Sequence, residues 1–67
     1  MNIMLNGESR KLPSSSYTIF NLLSELGYVG KRIAVELNGD IVPKSQHEAH
    51  QIQDGDNIEI VVAVGGG

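Results

Sequence analysis

Three consecutive glycines, Gly65, Gly66 and Gly67, stand at the end of the sequence and carry the group best suited to chemistry. The α-carboxyl group of Gly67 has a reference pKa of about 3.5, so it is an ionised oxygen nucleophile at neutral pH. Such a carboxylate can attack the α-phosphate of a nucleotide and expel pyrophosphate, which leaves an acyl-adenylate. The reaction needs Mg²⁺ or arginine to neutralise the phosphate charge, and this small acidic chain does not supply them. We therefore expect another protein to use ATP and Mg²⁺ on the tail, and no cofactor bound by this chain.

Glycine is suited to a reactive tail because a segment without Cβ atoms can enter a narrow tunnel and adopt backbone angles closed to other residues. Residues 63–67 in extended form reach roughly 17 Å, enough to carry the carboxylate into the active site of another protein. The alternative is that the terminal glycines are frayed and inert, as chain ends often are. The tail directly follows the most apolar strand without a polar linker, and this favours the reactive tail.

Length and composition exclude several classes of protein. The chain has 67 residues, no cysteine and a net charge of −3, so we expect one small domain without disulfides, thiolate metal sites or a side-chain persulfide. No basic cluster exceeds the pairs Arg10-Lys11 and Lys31-Arg32, which argues against nucleic acid and anionic membranes as partners. There is no apolar run of about 18 residues and no signal sequence, so the expected location is the cytoplasm.

Two histidines, His47 and His50, are spaced to lie on one face of a helical turn, where they could share a metal ion. Metal sites usually need three or four ligands, and two histidines alone do not supply them. The simpler interpretation is a polar surface loop, and we predict no metal site. The chain also lacks the nucleophile motif of hydrolases and the glycine-rich phosphate loop of ATP-binding proteins.

The pattern of apolar residues predicts five strands and one helix, in the order strand, strand, helix, strand, short strand, long strand. The helix has an apolar stripe at the spacing i, i+3, i+4 and i+7, with Thr18 as its N-cap and Gly27 as its C-cap. The stripe residues are Ile19, Leu22, Leu23 and Leu26. Strands are predicted at residues 2–6, 8–12, 33–37, 41–42 and 58–64.

Asn6-Gly7 and Asn38-Gly39 predict tight hairpin turns. The last strand is apolar on both faces and so belongs in the middle of a sheet or against a partner. One helix can cover only one face of a small sheet, and we predict an α+β roll of the β-grasp type with four or five strands. The domain spans residues 1–64, and residues 65–67 form a flexible tail. In the polar loop at residues 44–52, Ala49 and Ile52 are the expected inward anchors.

The whole sequence resembles the ThiS family, the ubiquitin-like β-grasp sulfur carriers of thiamine biosynthesis. Each matching stretch is weak alone, but their order and the diglycine placed last make a fairly specific pattern. The stretches are Met1-Asn2-Ile3 closed by Asn6-Gly7, the helix from Thr18 with Leu22-Leu23, residues 34–39 (Ala-Val-Glu-Leu-Asn-Gly), residues 41–44 (Ile-Val-Pro-Lys), Asp54-Gly55-Asp56 ahead of residues 58–61, and Gly66-Gly67.

The resemblance implies a carrier that is not itself an enzyme. A ThiF-like (E1-like) adenylyltransferase would adenylate the carboxylate of Gly67, and a sulfurtransferase or cysteine desulfurase would supply the sulfur of a thiocarboxylate. A ThiG-like thiazole synthase would then receive this sulfur. Gly66 and Gly67 match the diglycine of the family, whereas Gly65 is an addition that the pattern permits.

The outward residues of the last strand, Val61 and Ala63, are candidates for docking the partner beside the tail, together with Met4 if its strand is adjacent. Exposed apolar patches usually mark interaction sites. The alternative is that the loop at residues 44–52 covers this face.

Three other functions remain open on the sequence alone. One is a MoaD-like small subunit of molybdopterin synthase, another is a ubiquitin-like modifier whose tail ends on a lysine of a target, and the third is an interaction domain with an inert tail. Similarity of fold does not separate them.

Overall fold

The computed structural model describes residues 1–63, which form a five-stranded mixed sheet with one α-helix packed across one face. The strands are β1 (Asn2–Leu5), β2 (Glu8–Lys11), β3 (Ile33–Leu37), β4 (Asp40–Val42) and β5 (Asn57–Val62), and the helix α1 is Ile19–Leu26. The predicted order of elements is therefore confirmed.

The strand order across the sheet is β2-β1-β5-β3-β4. β5 lies between β1, to which it is parallel, and β3, to which it is antiparallel. The outer pairs β1–β2 and β3–β4 are antiparallel hairpins. This arrangement confirms both the central position of the last strand and its pairing with the first strand.

Both hairpins close through two-residue Asn-Gly turns. Asn6 and Gly7 have φ angles of 50° and 82°, and Asn38 and Gly39 have φ angles of 50° and 91°. Positive φ at both central residues is the geometry of the type I′ turn, whose twist matches that of the flanking strands. These short turns set the register of both hairpins.

The helix begins at a capping box. The hydroxyl of Thr18 accepts a hydrogen bond from the backbone N–H of Asn21 at 3.1 Å, and the side-chain oxygen of Asn21 accepts one from the backbone N–H of Thr18 at 2.9 Å. Gly27 ends the helix in the left-handed conformation. Both predicted caps are confirmed.

Replacement of Thr18 by alanine is expected to lower the free energy of unfolding by about 1 kcal/mol, because the N–H of Asn21 loses its acceptor. Urea unfolding measures the change. Thr18→Ser is the matched control and is expected to retain most of the stability, since serine keeps the hydroxyl. Equal stability of the wild type and Thr18→Ala would contradict this role of the cap.

The core lies between the helix and one face of the sheet. The predicted helical stripe supplies three buried residues, while Leu26 is partly buried at the margin of the core. The buried apolar residues are Ile3, Leu12, Ile19, Leu22, Leu23, Val35, Val42, Ile52, Ile58 and Ile60.

The loop before β5 departs from the sequence prediction. It contains a 3₁₀ turn at Lys44–Gln46, and Ile52 is buried as expected. The expectation for Ala49 is wrong, because this residue is exposed and His47 is buried in this loop instead. The backbone carbonyl of His47 accepts from the N–H of Phe20 at 2.9 Å, and this bond draws the loop against the start of the helix.

A polar cluster joins the helix to the β2 edge. The hydroxyl of Tyr17 donates to the carboxylate of Glu25, which also lies 3.6 Å from the guanidinium of Arg10. Burial, and then the hydrogen bond to Glu25, raise the pKa of Tyr17 to about 12. The guanidinium of Arg10 is thus paired with the carboxylate of Glu25 within the same chain.

The predicted tail, residues 65–67, and Val64 at the end of the predicted domain lie outside the described residues. In residues 1–63, no helix has the length and apolar character needed to cross a membrane.

Candidate docking face and tail exit

The described part of the chain ends at Ala63, beside the start of β3, and we call this place the tail exit. Ile33 pairs with Val62 at the end of β5, and the backbone N–H of Ala63 donates to the carbonyl of Arg32 at 2.9 Å. The strand is therefore held on its β3 side up to the last residue that the structure describes.

The outer face of the sheet is the face opposite the helix, and it bears two of the candidate docking residues. Val61 is 54% exposed and lies opposite Ala34 on β3, and Ala63 is also exposed. The loop at residues 44–52 does not cover Val61, because it hydrogen-bonds to the residues around the start of the helix, on the other side of the sheet. Within the described chain, this part of the sheet faces solvent.

Met4 lies on the same outer face and is 40% exposed. Its strand is adjacent to β5, as required, but Met4 pairs with Asn57. Val61 lies four residues further along β5, about 13 Å away at the rise of a strand. Glu59 projects between them, so Met4 and Val61 form two separate apolar positions on one face.

The outer face has a further apolar position, Ile41, which is 62% exposed and was not among the sequence candidates. It lies opposite Glu36 in the β3–β4 hairpin. A two-residue turn at Asn38-Gly39 places residue 41 opposite residue 36, so the turn motif contained the signal that Ile41 points outward.

Two carboxylates lie side by side at the centre of this face. Glu36 on β3 is in register with Glu59 on β5. Like charges directly opposite each other on neighbouring strands are destabilising. The centre of the outer face is therefore acidic, with Ile41 on one side and Val61 towards the tail exit.

The tail exit is basic. A groove of about 400 Å³ beside Ala63 is lined by Lys31, Arg32 and Lys44, together with Ala34 and Val61. Along the sequence, no basic cluster exceeds the pairs Arg10-Lys11 and Lys31-Arg32. The fold adds Lys44, because Val42 at the end of β4 pairs with Val35 on β3 and so brings the next residues alongside the start of β3.

The imidazole of His47 is buried, and its Nε2 atom lies 3.1 Å from the carbonyl oxygen of Val42. A ring nitrogen engaged by a backbone carbonyl serves to fix the loop. No group of three or more histidine, cysteine or acidic residues suited to a metal ion occurs within residues 1–63. In the described part of the chain, His47 and His50 do not have the additional ligands that a metal site needs.

Comparison with known proteins now identifies the family. The ThiS family profile matches residues 3–67, nearly the whole sequence. The chain belongs to the ThiS family. The sulfur carrier protein ThiS of Bacillus subtilis is 37% identical over 65 residues, covering 97% of this chain and 98% of that protein. The sulfur carrier protein ThiS of Escherichia coli is 31% identical over 67 residues and matches over the full length of both chains.

A solved member of the ThiS family has the same fold. The crystal structure of the thiamine biosynthesis protein ThiS from Geobacter metallireducens superposes with a TM-score of 0.83 at 32% identity, over 100% of both chains. The predicted ubiquitin-like β-grasp fold is confirmed. Two relatives of matching length, those of Bacillus subtilis and Escherichia coli, are named sulfur carrier proteins, and the prediction of a ThiS-type carrier is confirmed as well.

Two longer relatives are thiazole synthases. The whole chain matches part of the thiazole synthase of Paramagnetospirillum magneticum at 46% identity and part of that of Magnetococcus marinus at 37% identity. The chain spans about a fifth (20%) of the length of each of these proteins. A ThiS-like region is thus part of the same polypeptide as the rest of each synthase.

Proposed function

We propose that this chain carries sulfur for the synthesis of the thiazole ring of thiamine, with the carboxylate of Gly67 as the reactive group. The match to the ThiS family along residues 3–67 is the observation that carries this proposal. A ThiF-like adenylyltransferase joins the carboxylate to the α-phosphate of ATP with the help of Mg²⁺, and pyrophosphate leaves. The terminal sulfur of a persulfide on a sulfurtransferase or cysteine desulfurase then attacks the carbonyl carbon and displaces AMP. A thiol cleaves the resulting acyl disulfide, which releases the thiocarboxylate and leaves a new disulfide on the sulfur donor.

The similarity to the two thiazole synthases supports a ThiG-like enzyme as the acceptor of the sulfur. A domain that recurs within the polypeptide of an enzyme is well suited to deliver a group to that enzyme, because a covalent connection keeps the effective concentration high. The same delivery by a separate chain requires a docking surface. We assign this role to the outer face near the tail, with Val61 and Ala63 closest to the exit and Met4 at the far end.

The composition of the chain agrees with sulfur held at the carboxyl end. It has no cysteine, so no side chain can carry a persulfide. The sulfur would reside on the carbonyl carbon of Gly67, which follows Gly65 and Gly66 in a segment without side chains. Such a segment fits a tunnel too narrow for larger residues.

Intact-mass measurement of the protein isolated from cells that are actively making thiamine tests this proposal. We expect a fraction of molecules to be heavier by the replacement of one oxygen with sulfur, and the change to lie in the peptide that contains Gly67. A terminus that stays entirely unmodified under these conditions would argue against the carrier function.

The same measurement separates the rival functions. High-mass conjugates joined through Gly67 to lysines of other proteins would indicate a ubiquitin-like modifier. A thiocarboxylate that persists when thiamine synthesis is repressed, and that is consumed when molybdopterin is made, would indicate a MoaD-like subunit. The ThiS family match favours the thiamine branch over both.

A further inference from the structure

Positive charge is concentrated at the tail exit of a chain that is acidic overall. The chain has a net charge of −3 and five lysine and arginine residues. Three of them, Lys31, Arg32 and Lys44, line the groove beside Ala63. All three side chains are exposed. Nothing in the proposed chemistry of Gly67 accounts for them, because the ATP phosphates are bound by the activating enzyme.

These cations have no partner among the described residues. Between residues 1 and 63, the ion pair within 4 Å is Arg10–Glu25, at the opposite edge of the sheet. Glu48 lines the neighbouring cavity with Lys31 and Lys44, but it lies outside that distance. Grouping three like charges without a counter-charge is unfavourable for the isolated domain. The arrangement is therefore better suited to a bound state than to the free protein.

The length of the tail restricts what can cover the groove. Four residues separate Ala63 from the end of Gly67, and a fully extended segment of this length reaches about 14 Å. An enzyme that acts on the carboxylate of Gly67 must therefore bring its surface close to Ala63. The groove lies at this point, so the enzyme that receives the tail also lies against Lys31, Arg32 and Lys44.

We propose that the groove formed by Lys31, Arg32 and Lys44 receives an acidic surface of the adenylating enzyme, with aspartate or glutamate side chains beside the opening that admits the tail. This inference rests on the proposed function. Charge complementarity of this kind increases the association rate and fixes the orientation of the two proteins. It acts before the tail enters and does not take part in adenylation.

The acidic centre of the outer face reinforces the orientation. Glu36 and Glu59 lie four residues back along β5 from Ala63, about 13 Å at the rise of a strand. The exposed pair Ala34 and Val61, which also lines the groove, lies between the two glutamates and the end of the described chain. If the carrier bound in the reverse orientation, Glu36 and Glu59 would face the acidic residues at the opening of the enzyme and would be repelled. The favoured orientation is therefore the one that presents the tail to the active site.

Single charge reversals test the groove. The assay follows the exchange of pyrophosphate into ATP by the adenylating enzyme of the same organism, at several concentrations of the carrier. We expect Lys44→Glu to raise the KM for the carrier about tenfold at low salt, with kcat within about twofold of the wild type. The effect should shrink as the salt concentration rises, because ions screen exposed charges.

Lys11→Glu is the matched control, because it makes the same change in net charge at the exposed edge strand β2, away from the groove. Its KM is expected to stay within about twofold of the wild type. The triple variant of Lys31, Arg32 and Lys44 to glutamate should show a larger rise in KM than Lys44→Glu. Thermal unfolding of each variant checks that the fold is retained.

Several results would overturn the groove as a docking site. Equal effects of Lys44→Glu and Lys11→Glu would show that only net charge matters, and a lower kcat at constant KM would place the cations in the chemical step. Binding of ATP by the carrier alone, lost in the triple variant, would make a nucleotide the occupant. If the wild type supports exchange and none of the variants changes KM, the groove is not the docking site, but the proposed function stands. If the wild type supports no exchange, the proposed function is contradicted as well.

Discussion

A carrier that ends at Gly65 is expected to lose adenylation by at least about a hundredfold in kcat/KM while its fold stays intact. Removal of Gly66 and Gly67 moves the carboxylate back by two residues, roughly 7 Å in an extended tail. A displacement of even about 1 Å from the reactive position can cost about a hundredfold in rate. The buried core lies within residues 3–60, so the truncation does not remove a packing residue. Pyrophosphate exchange measures the loss, and thermal unfolding checks the fold.

Two further variants separate the position of the carboxylate from the presence of glycine. A chain ending at Gly66 still terminates in two glycines, so its remaining activity measures the importance of reach alone. A chain with one serine added after Gly67 keeps all three glycines and moves only the carboxylate. We expect this extended chain to be inactive in exchange. Wild-type activity in the Gly65-terminated or serine-extended variant would show that the carboxylate of Gly67 is not the reactive group.

Replacement of Ile58 by alanine is expected to destabilise the domain by about 2–5 kcal/mol. Ile58 is fully buried on the central strand and pairs with Leu5 on one side and Leu37 on the other. The total stability of a domain of this size is about 3–10 kcal/mol, so the variant should be largely unfolded near physiological temperature. Thermal unfolding followed by circular dichroism measures the change.

Val61→Ala is the matched control for this prediction, because it shortens a β-branched residue on the same strand but on the outer face. Val61 is 54% exposed, so we expect a loss below about 0.5 kcal/mol. Ile58→Val, which removes a single methylene group, should fall between them at about 1 kcal/mol. Equal stabilities of Ile58→Ala and Val61→Ala would contradict the burial that the fold assigns to these two positions.

The elements of this fold were predictable because their signals are local. The N-cap at Thr18 and the Asn38-Gly39 turn depend on residues close in sequence. The central position of β5 was also predictable, because a strand that is apolar on both faces is best accommodated inside a sheet. The reactive tail was inferred from its residue type and from resemblance to the ThiS family, and it remains a prediction.

Features that depend on contacts distant in sequence were not predictable. Lys44 joins Lys31 and Arg32 only because the β3–β4 hairpin folds back along the start of β3, and charge counting along the chain cannot show this. The burial of His47 in place of the predicted Ala49 also depends on contacts with residues outside the loop. His47 can be buried because its backbone and its imidazole both find partners, whereas hydropathy alone favours alanine.

The placement of β5 also has a consequence for synthesis on the ribosome. The two hairpins and the helix are each held by hydrogen bonds between residues close in sequence, all of which precede residue 57. They cannot join into one sheet until residues 57–62 have been translated, because β5 is the strand that connects β1 to β3. An interrupted translation product therefore has no central strand and leaves its apolar surfaces open to proteases.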